Sequence, residues 1–256
     1  MDMLAALALQ IEWGADEAID VVPVDRMRAP VALAARVPPS MPQAAPAPAV
    51  GPVVRARDVA AAATSLESLC AAMAGFSECP LATTATNLVF GAGNPAAGLV
   101  LVGEAPGAEE DLAGVPFVGE AGKFLDRMFA SIGLTRTDFW VTNLIPWRPP
   151  GNRPPADTEV QIGLAFLHRH LALLRPRLVV TLGTLPARCL TGREDGIRRL
   201  RGRWQTLSVE GLPAPVRLLP MLHPAYVQQT NGAKKEAWAD LLALRRHLDS
   251  NGSGSD

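Results

Sequence analysis

The sequence has few of the residues that build disulfide-linked or membrane proteins. Its 256 residues include three cysteines and one tyrosine, and only 19% of them are charged. Cys70, Cys79 and Cys189 are odd in number and have no metal-like spacing, so the sequence does not predict a disulfide framework. Proline or charge interrupts every apolar run before the ~20 residues that a membrane span requires, which predicts a soluble protein.

A large net charge is also missing, because the total is −1, but the charge is unevenly distributed. Residues 136–217 contain thirteen arginines, no lysine and six acidic residues, whereas residues 1–135 have an acidic excess of eight. Arginine suits bidentate contact with phosphate, and four of these arginines fall within residues 198–203. A solvated arginine-rich surface is the alternative that charge alone leaves open.

The composition divides the chain into four parts. In residues 1–20, apolar residues recur at intervals of three and four positions, which predicts a short amphipathic helix. Such a helix suits binding to a protein partner. Residues 21–57 are rich in proline and alanine, which predicts a disordered linker. We expect the folded domain at 58–250 and a disordered tail at 251–256. The acidic start of the chain is unlike a secretory or mitochondrial targeting segment, which predicts a cytoplasmic protein.

Apolar strand-like runs alternate with helical patterns in the predicted domain. The predicted strands cover 99–102, 139–142, 178–182 and 216–222, and the predicted helices cover 58–74, 120–132, 157–174, 184–190 and 233–248. Strands that are apolar on both faces and separated by helices are typical of a parallel sheet covered on both sides. The sequence therefore predicts a three-layer α/β/α fold with a central four-stranded parallel sheet.

Polar side chains follow three of these strands directly. Glu104, Asn143 and His223 each lie just past a predicted strand, and ligands of open α/β sheets bind at that edge. A proline-rich loop with Arg148 and Arg153 follows Asn143, and a rigid loop of this kind suits a phosphate or substrate clamp. Ordinary turn chemistry also explains each of these polar strand ends and the proline-rich loop taken alone. The prediction of a binding site therefore depends on their occurring together.

The segments around these residues resemble family 4 uracil-DNA glycosylases. The matching segments are GEAPGAEEDLAGVPFVGEAG (103–122), VTNLIPWRPPGNRPP (141–155) and MLHPAY (221–226), preceded by CPL (79–81) and VFGAGNP (89–95). Their order and spacing match throughout residues 58–250. The resemblance implies a monofunctional glycosylase that flips uracil out of DNA, hydrolyses its N-glycosidic bond and so initiates base excision repair.

The resemblance also implies roles for individual residues. Phe117 would stack on the flipped ring, and the Asn143 amide would pair with the uracil edge, beside Ala105. His223 would donate to uracil O2, while Glu104, with Glu110, would position water and stabilise the cationic sugar. We expect DNA contacts from five arginines: Arg148, Arg153, Arg198, Arg199 and Arg201.

Departures from the family concern its iron–sulfur cluster and its DNA contacts. The four ligand positions read Phe76, Cys79, Trp147 and Gly163, so the sequence predicts no cluster and no other metal, with an apolar plug in its place. Gln229 replaces the usual arginine after the His-Pro motif.

We therefore expect a monomeric, cluster-free enzyme acting on uracil-containing DNA. The alternatives are a catalytically silent DNA-binding module of the same fold and, with little support, a nucleotide hydrolase, for which a phosphate-binding loop is missing.

Overall fold

The computed structural model describes residues 51–252 of the chain. The helices in this part are α1 (Pro52–Ala62), α2 (Leu66–Ala74), α3 (Pro80–Thr84), α4 (Ala108–Ala113), α5 (Glu120–Ala130), α6 (Asp157–Leu174), α7 (Thr184–Thr191), α8 (Ile197–Leu200), α9 (Pro224–Gln229) and α10 (Ala233–Gly252), with a 3-10 turn at Pro150–Asn152. The strands are β1 (Ala92–Gly93), β2 (Leu99–Gly103), β3 (Trp140–Asn143), β4 (Leu178–Leu182), β5 (Gln205–Leu207) and β6 (Val216–Met221).

The six strands form one mixed sheet in the order β1-β3-β2-β4-β6-β5. The four central strands are parallel to one another, whereas β1 and β5 pair antiparallel at the two edges. The predicted α/β class is therefore confirmed, and the predicted parallel strands form the centre of a larger sheet. The edge strands have only two and three residues and no apolar run, so no strand signal marks them in the sequence.

Alternating side chains of the central strands face two separate cores. In β2, Val100 and Val102 belong to one apolar cluster, while Leu99 and Leu101 belong to the other. Helices α1 and α2 pack against α6 on the first face, and α5 packs against α9 and α10 on the second. This alternation follows from the two-residue period of a strand, and it gives the three predicted layers.

Several predicted boundaries differ from the structure. Helix α1 begins at Pro52, inside the predicted linker 21–57, because proline is favoured in the first turn of a helix and Ala56 is fully buried. The predicted helix 58–74 is two helices, since Ser65 caps α2 by accepting from the Ser68 N–H. Helix α10 also continues past residue 250. The predicted helix at 1–20 and most of the predicted linker lie outside the described residues.

The carboxyl edge of the sheet brings the three polar strand ends together. The register pairs Gly103 with Asn143, so Glu104 directly follows a strand that neighbours the strand ending in Asn143. Strand β6 ends two residues before His223 on the other side of β4.

Within residues 51–252, no helix is both long and apolar enough to cross a membrane.

Candidate active site

A cavity of about 410 Å³ lies at this carboxyl edge. Seven of the residues singled out in the sequence line it: Glu104, Ala105, Glu110, Phe117, Asn143, Arg153 and His223. The same cavity is also lined by Pro149, Asn152 and Pro155, which belong to the proline-rich loop. Residues that are up to 119 positions apart in the chain thus surround one space large enough for a small ring.

Two glutamates that follow β2, Glu104 in the turn and Glu110 in α4, have different surroundings. Glu110 caps its own helix and ties two turns together, because its carboxylate accepts from the Gly107 N–H at 3.1 Å and from the Gly119 N–H at 2.9 Å. Glu104 has no side-chain hydrogen bond within residues 51–252, and burial raises its pKa. Glu104 is therefore the carboxyl group that is free to act on a bound molecule.

Phe117 has a left-handed backbone conformation, with φ at 56°. Such a conformation is uncommon for a bulky residue and is retained where the surrounding structure enforces it. Arg136 donates to the Phe117 carbonyl at 2.7 Å and pairs with Asp126, and Gly122 leaves room for that carbonyl because it has no side chain. These contacts hold the Phe117 backbone, and its aromatic ring packs against Gly103.

The Asn143 amide is available to a ligand although the residue is 5% exposed. Its side chain makes no hydrogen bond to the part of the chain that the structure describes, and it lines the cavity beside Gly103. Its amide is not one of the fully buried polar groups without a partner, so it faces the open cavity, where a bound molecule can reach it. It offers one donor and one acceptor to a ring edge.

His223 has a defined protonation state in this site. The Ala225 N–H donates to its Nδ1 at 3.2 Å, so the hydrogen of the neutral ring lies on Nε2. Burial lowers the pKa of His223 to about 4, and the negative charge of Glu110 opposes part of that change. The imidazole is therefore neutral at pH 7 and presents one hydrogen-bond donor. Its ring centroid lies 6.0 Å from that of Phe117.

The two arginines of the proline-rich loop are held by neighbouring side chains. Arg153 forms a bidentate pair with Glu159 at 2.7 and 2.9 Å, and its pKa is raised by that pairing. Arg148 donates from Nε to the Asn152 side chain at 2.8 Å and is not one of the residues lining the cavity. Arg153 keeps 45% of its side chain exposed beside the cavity, so it can still contact a ligand there.

The arginines around α8 differ in how much they are free to contact a ligand. Arg198 donates to the Tyr226 hydroxyl at 2.8 Å, next to the helix that His223 begins, and Arg199 has 83% of its side chain exposed. Arg201 is only 17% exposed and forms a bidentate pair with the buried Asp240. The expectation that Arg201 contacts DNA is therefore not supported, because its charge is committed to the protein interior.

Comparison with known proteins agrees with this geometry. A model of the uracil DNA glycosylase superfamily matches residues 90–242. The chain is 39% identical over 184 residues to the type-4 uracil-DNA glycosylase of Archaeoglobus fulgidus, covering 70% of this chain and 92% of that protein. It is 35% identical over 177 residues to the type-4 uracil-DNA glycosylase of Thermotoga maritima, covering 68% and 90%. This chain belongs to the type-4 uracil-DNA glycosylases.

The residues at the family's cluster positions do not fit an iron–sulfur cluster. Phe76, Cys79 and Trp147 are all buried, and Cys79 is the one thiol among them. A Cβ atom at Gly163 would lie 2.5 Å from the Leu144 carbonyl oxygen, so this position has no room for a cysteine. No group of three or more candidate metal-binding side chains occurs in residues 51–252. Four thiolates are needed, and the donor set here supplies one.

Some residues that shape this glycosylase site carry only a weak signal in the sequence. Gly122 and Arg136 hold the backbone of Phe117, and Asn152 lines the cavity in a left-handed conformation with φ at 55°. Their roles arise from contacts between separate loops. Only the closely spaced glycines at 119 and 122 indicate that the backbone passes closely there.

Proposed function

We propose that this type-4 uracil-DNA glycosylase hydrolyses the N-glycosidic bond of uracil in DNA after base flipping, and thereby initiates base excision repair. The observation that carries the proposal is the neutral His223, whose Nε2 hydrogen shares one cavity with the free Asn143 amide and the Phe117 ring. A stacking ring and an edge-reading amide suit a flipped base, and a donor for developing charge suits cleavage of its glycosidic bond.

The flipped base is bound by two of these groups. The Phe117 ring stacks on the uracil face, and its enforced backbone conformation keeps the ring in place without a conformational change on binding. The Asn143 amide pairs with the uracil edge, accepting from N3–H and donating to O4. Ala105 contributes the adjoining wall of the cavity. Cytosine presents an amino group at that edge, so the same amide orientation discriminates against it.

Bond cleavage moves an electron pair from the glycosidic bond onto the uracil ring. His223 donates a hydrogen bond from Nε2–H to uracil O2, where negative charge develops. The proton stays on His223, and the base leaves as an anion. The sugar becomes cationic at C1′, and the Glu104 carboxylate stabilises it and orients the water that attacks there. The proton of that water leaves with Glu104 or the solvent. Glu110 holds the two turns in position rather than acting on water.

We propose that DNA phosphates are contacted by surface arginines of the proline-rich loop and of α8. Arg148, Arg153, Arg198 and Arg199 remain in this set, since each keeps donors at the surface. Planar guanidinium groups suit phosphate oxygens, and each contact adds to the salt dependence of binding. Arg201 is left out because Asp240 already occupies it.

We propose further that the enzyme is monomeric, cytoplasmic and free of an iron–sulfur cluster. The aromatic residues at the ligand positions and the lack of space at Gly163 support the last point. The predicted helix at 1–20 would bind a protein partner.

A uracil-release assay tests the proposed reaction. Single- and double-stranded oligonucleotides with one uracil are incubated with the protein, and the abasic product is cleaved with alkali. Matched oligonucleotides with thymine or cytosine at that position are the controls. We expect an abasic site in the uracil substrates alone. Binding without product would favour the catalytically silent DNA-binding module instead.

A further inference from the structure

The loop of residues 148–155, called here the wall loop, forms one side of the cavity. Pro149, Asn152, Arg153 and Pro155 line the cavity from this loop, whereas Glu104, Asn143 and His223 lie elsewhere. The wall loop is internally stiff, because the Asn152 N–H donates to the Pro149 carbonyl at 3.0 Å and Arg148 donates to the Asn152 side chain. Its position therefore depends on the anchors at its two ends.

Both anchors lie on one face of α6. At the far end, Arg153 pairs with Glu159 in the first turn of that helix. At the near end, the Trp147 ring packs edge-on against Phe166, with ring centroids 6.1 Å apart. Between them, the Leu144 carbonyl approaches Gly163. Glu159, Gly163 and Phe166 are spaced by four and three residues, so they share a helix face.

The near anchor is an aromatic cluster, in which the Trp147 side chain forms no hydrogen bond to any of the described residues 51–252. Phe166 packs edge-on against Phe76 at 5.2 Å, and both Phe76 and Trp147 are buried. Trp147 directly precedes the wall loop, whereas Phe76 follows α2 and is 72 residues from Arg148 in sequence. The two side chains thus pack on the same ring, but only one of them is joined to the cavity wall.

We propose that Trp147 is a positioning residue, which fixes the wall loop on α6 and thereby sets the side of the cavity that receives the DNA backbone. This inference rests on the proposed function. Because Glu104, Asn143 and His223 lie outside the wall loop, we expect that loosening it weakens substrate binding more than it slows bond cleavage. A Trp147 that merely fills the core would affect stability and nothing else.

The test compares Trp147→Leu with Phe76→Leu, which shortens a side chain on the same Phe166 ring. Hydrogen exchange is measured on peptides covering residues 147–156, and the KM and kcat for uracil release are measured in parallel. For Trp147→Leu we expect faster exchange at Asn152 and Arg153 and a rise in KM of ~10-fold with kcat changed less than ~3-fold, the pattern of lost uniform binding. Trp147→Phe should restore most of the KM.

The Phe76→Leu control should unfold at a lower temperature, yet leave exchange in the wall loop and KM as in the wild type. Equal effects of the two variants on exchange and KM, or an unchanged KM in Trp147→Leu, would overturn the proposal. The exchange measurement needs no activity. If the wild type releases no uracil, the proposed function fails, while the exchange result still decides whether Trp147 anchors the wall loop.

Discussion

Replacing Arg201 by alanine tests whether this arginine serves the fold or the DNA. Its guanidinium pairs with Asp240, which is 2% exposed, and also donates to the Glu236 carbonyl of the same helix. Removing one partner of a buried pair leaves the other charge without compensation, at a cost of about 3–5 kcal/mol. Because Arg201 keeps 17% of its side chain exposed, we expect the lower end, about 3 kcal/mol of unfolding free energy.

The loss should depend on pH in a defined direction. Burial raises the pKa of Asp240 to about 6 from an ordinary value of 3.8, and Arg201 opposes part of the rise. The folded state therefore binds a proton at Asp240 below pH 6, and without Arg201 it binds that proton at still higher pH. A protonated Asp240 needs no cation, so Arg201→Ala should cost less stability at pH 5 than at pH 7.5.

Urea unfolding at the two pH values measures the loss, and the salt dependence of DNA binding measures any phosphate contact. Arg199, with 83% of its side chain exposed, supplies the matched control: Arg199→Ala should leave stability nearly unchanged and make the salt slope shallower. The double replacement Arg201→Met with Asp240→Leu should recover most of the lost stability. If Arg201→Ala flattened the salt slope and left the unfolding free energy unchanged, the structural assignment would be refuted.

Three further outcomes are expected. The purified protein should be colourless and free of stoichiometric iron and sulfide, and a brown preparation would contradict the aromatic plug around Trp147. Deleting residues 1–50 should leave uracil release intact, because every residue lining the cavity lies between 104 and 225. A folded but inactive product would assign residues 1–50 a role in the site. Asn143→Asp should impair release of uracil and admit cytosine, whose amino group donates to a carboxylate, and an unchanged substrate preference would exclude Asn143 from base reading.

The parts of the fold that were predictable are those with a local signal. Leu178–Leu182 and Asp157–Leu174 appear in the sequence as an apolar run and as a long helical pattern, and the structure has the same bounds. The edge strand Ala92–Gly93 has no such pattern, since only its pairing with β3 defines it. The predicted linker wrongly includes Pro52. Proline interrupts the interior of a helix but is favoured in its first turn, so a proline-rich segment can still contain a helix start.

The candidate site divides in a similar way. The position of Glu104, Asn143 and His223 at one edge follows from strand ends in a parallel sheet, which the sequence indicates. The neutral state of His223 depends on burial and on the Ala225 N–H, which exist only in the folded chain. The ion pair between Arg201 and Asp240 likewise cannot be predicted from the sequence, because the two residues are 39 positions apart.

The most direct test of the account is the single-turnover rate of uracil release by His223→Ala, measured together with its affinity for uracil-containing DNA. The donor at O2 acts mainly as the bond breaks, so its removal should slow the rate by ~100-fold or more, as for loss of one oxyanion donor. Affinity should change little, because the donor contributes less to the ground state. A variant that releases uracil at the wild-type rate, or that loses affinity in proportion to rate, would contradict the proposed mechanism.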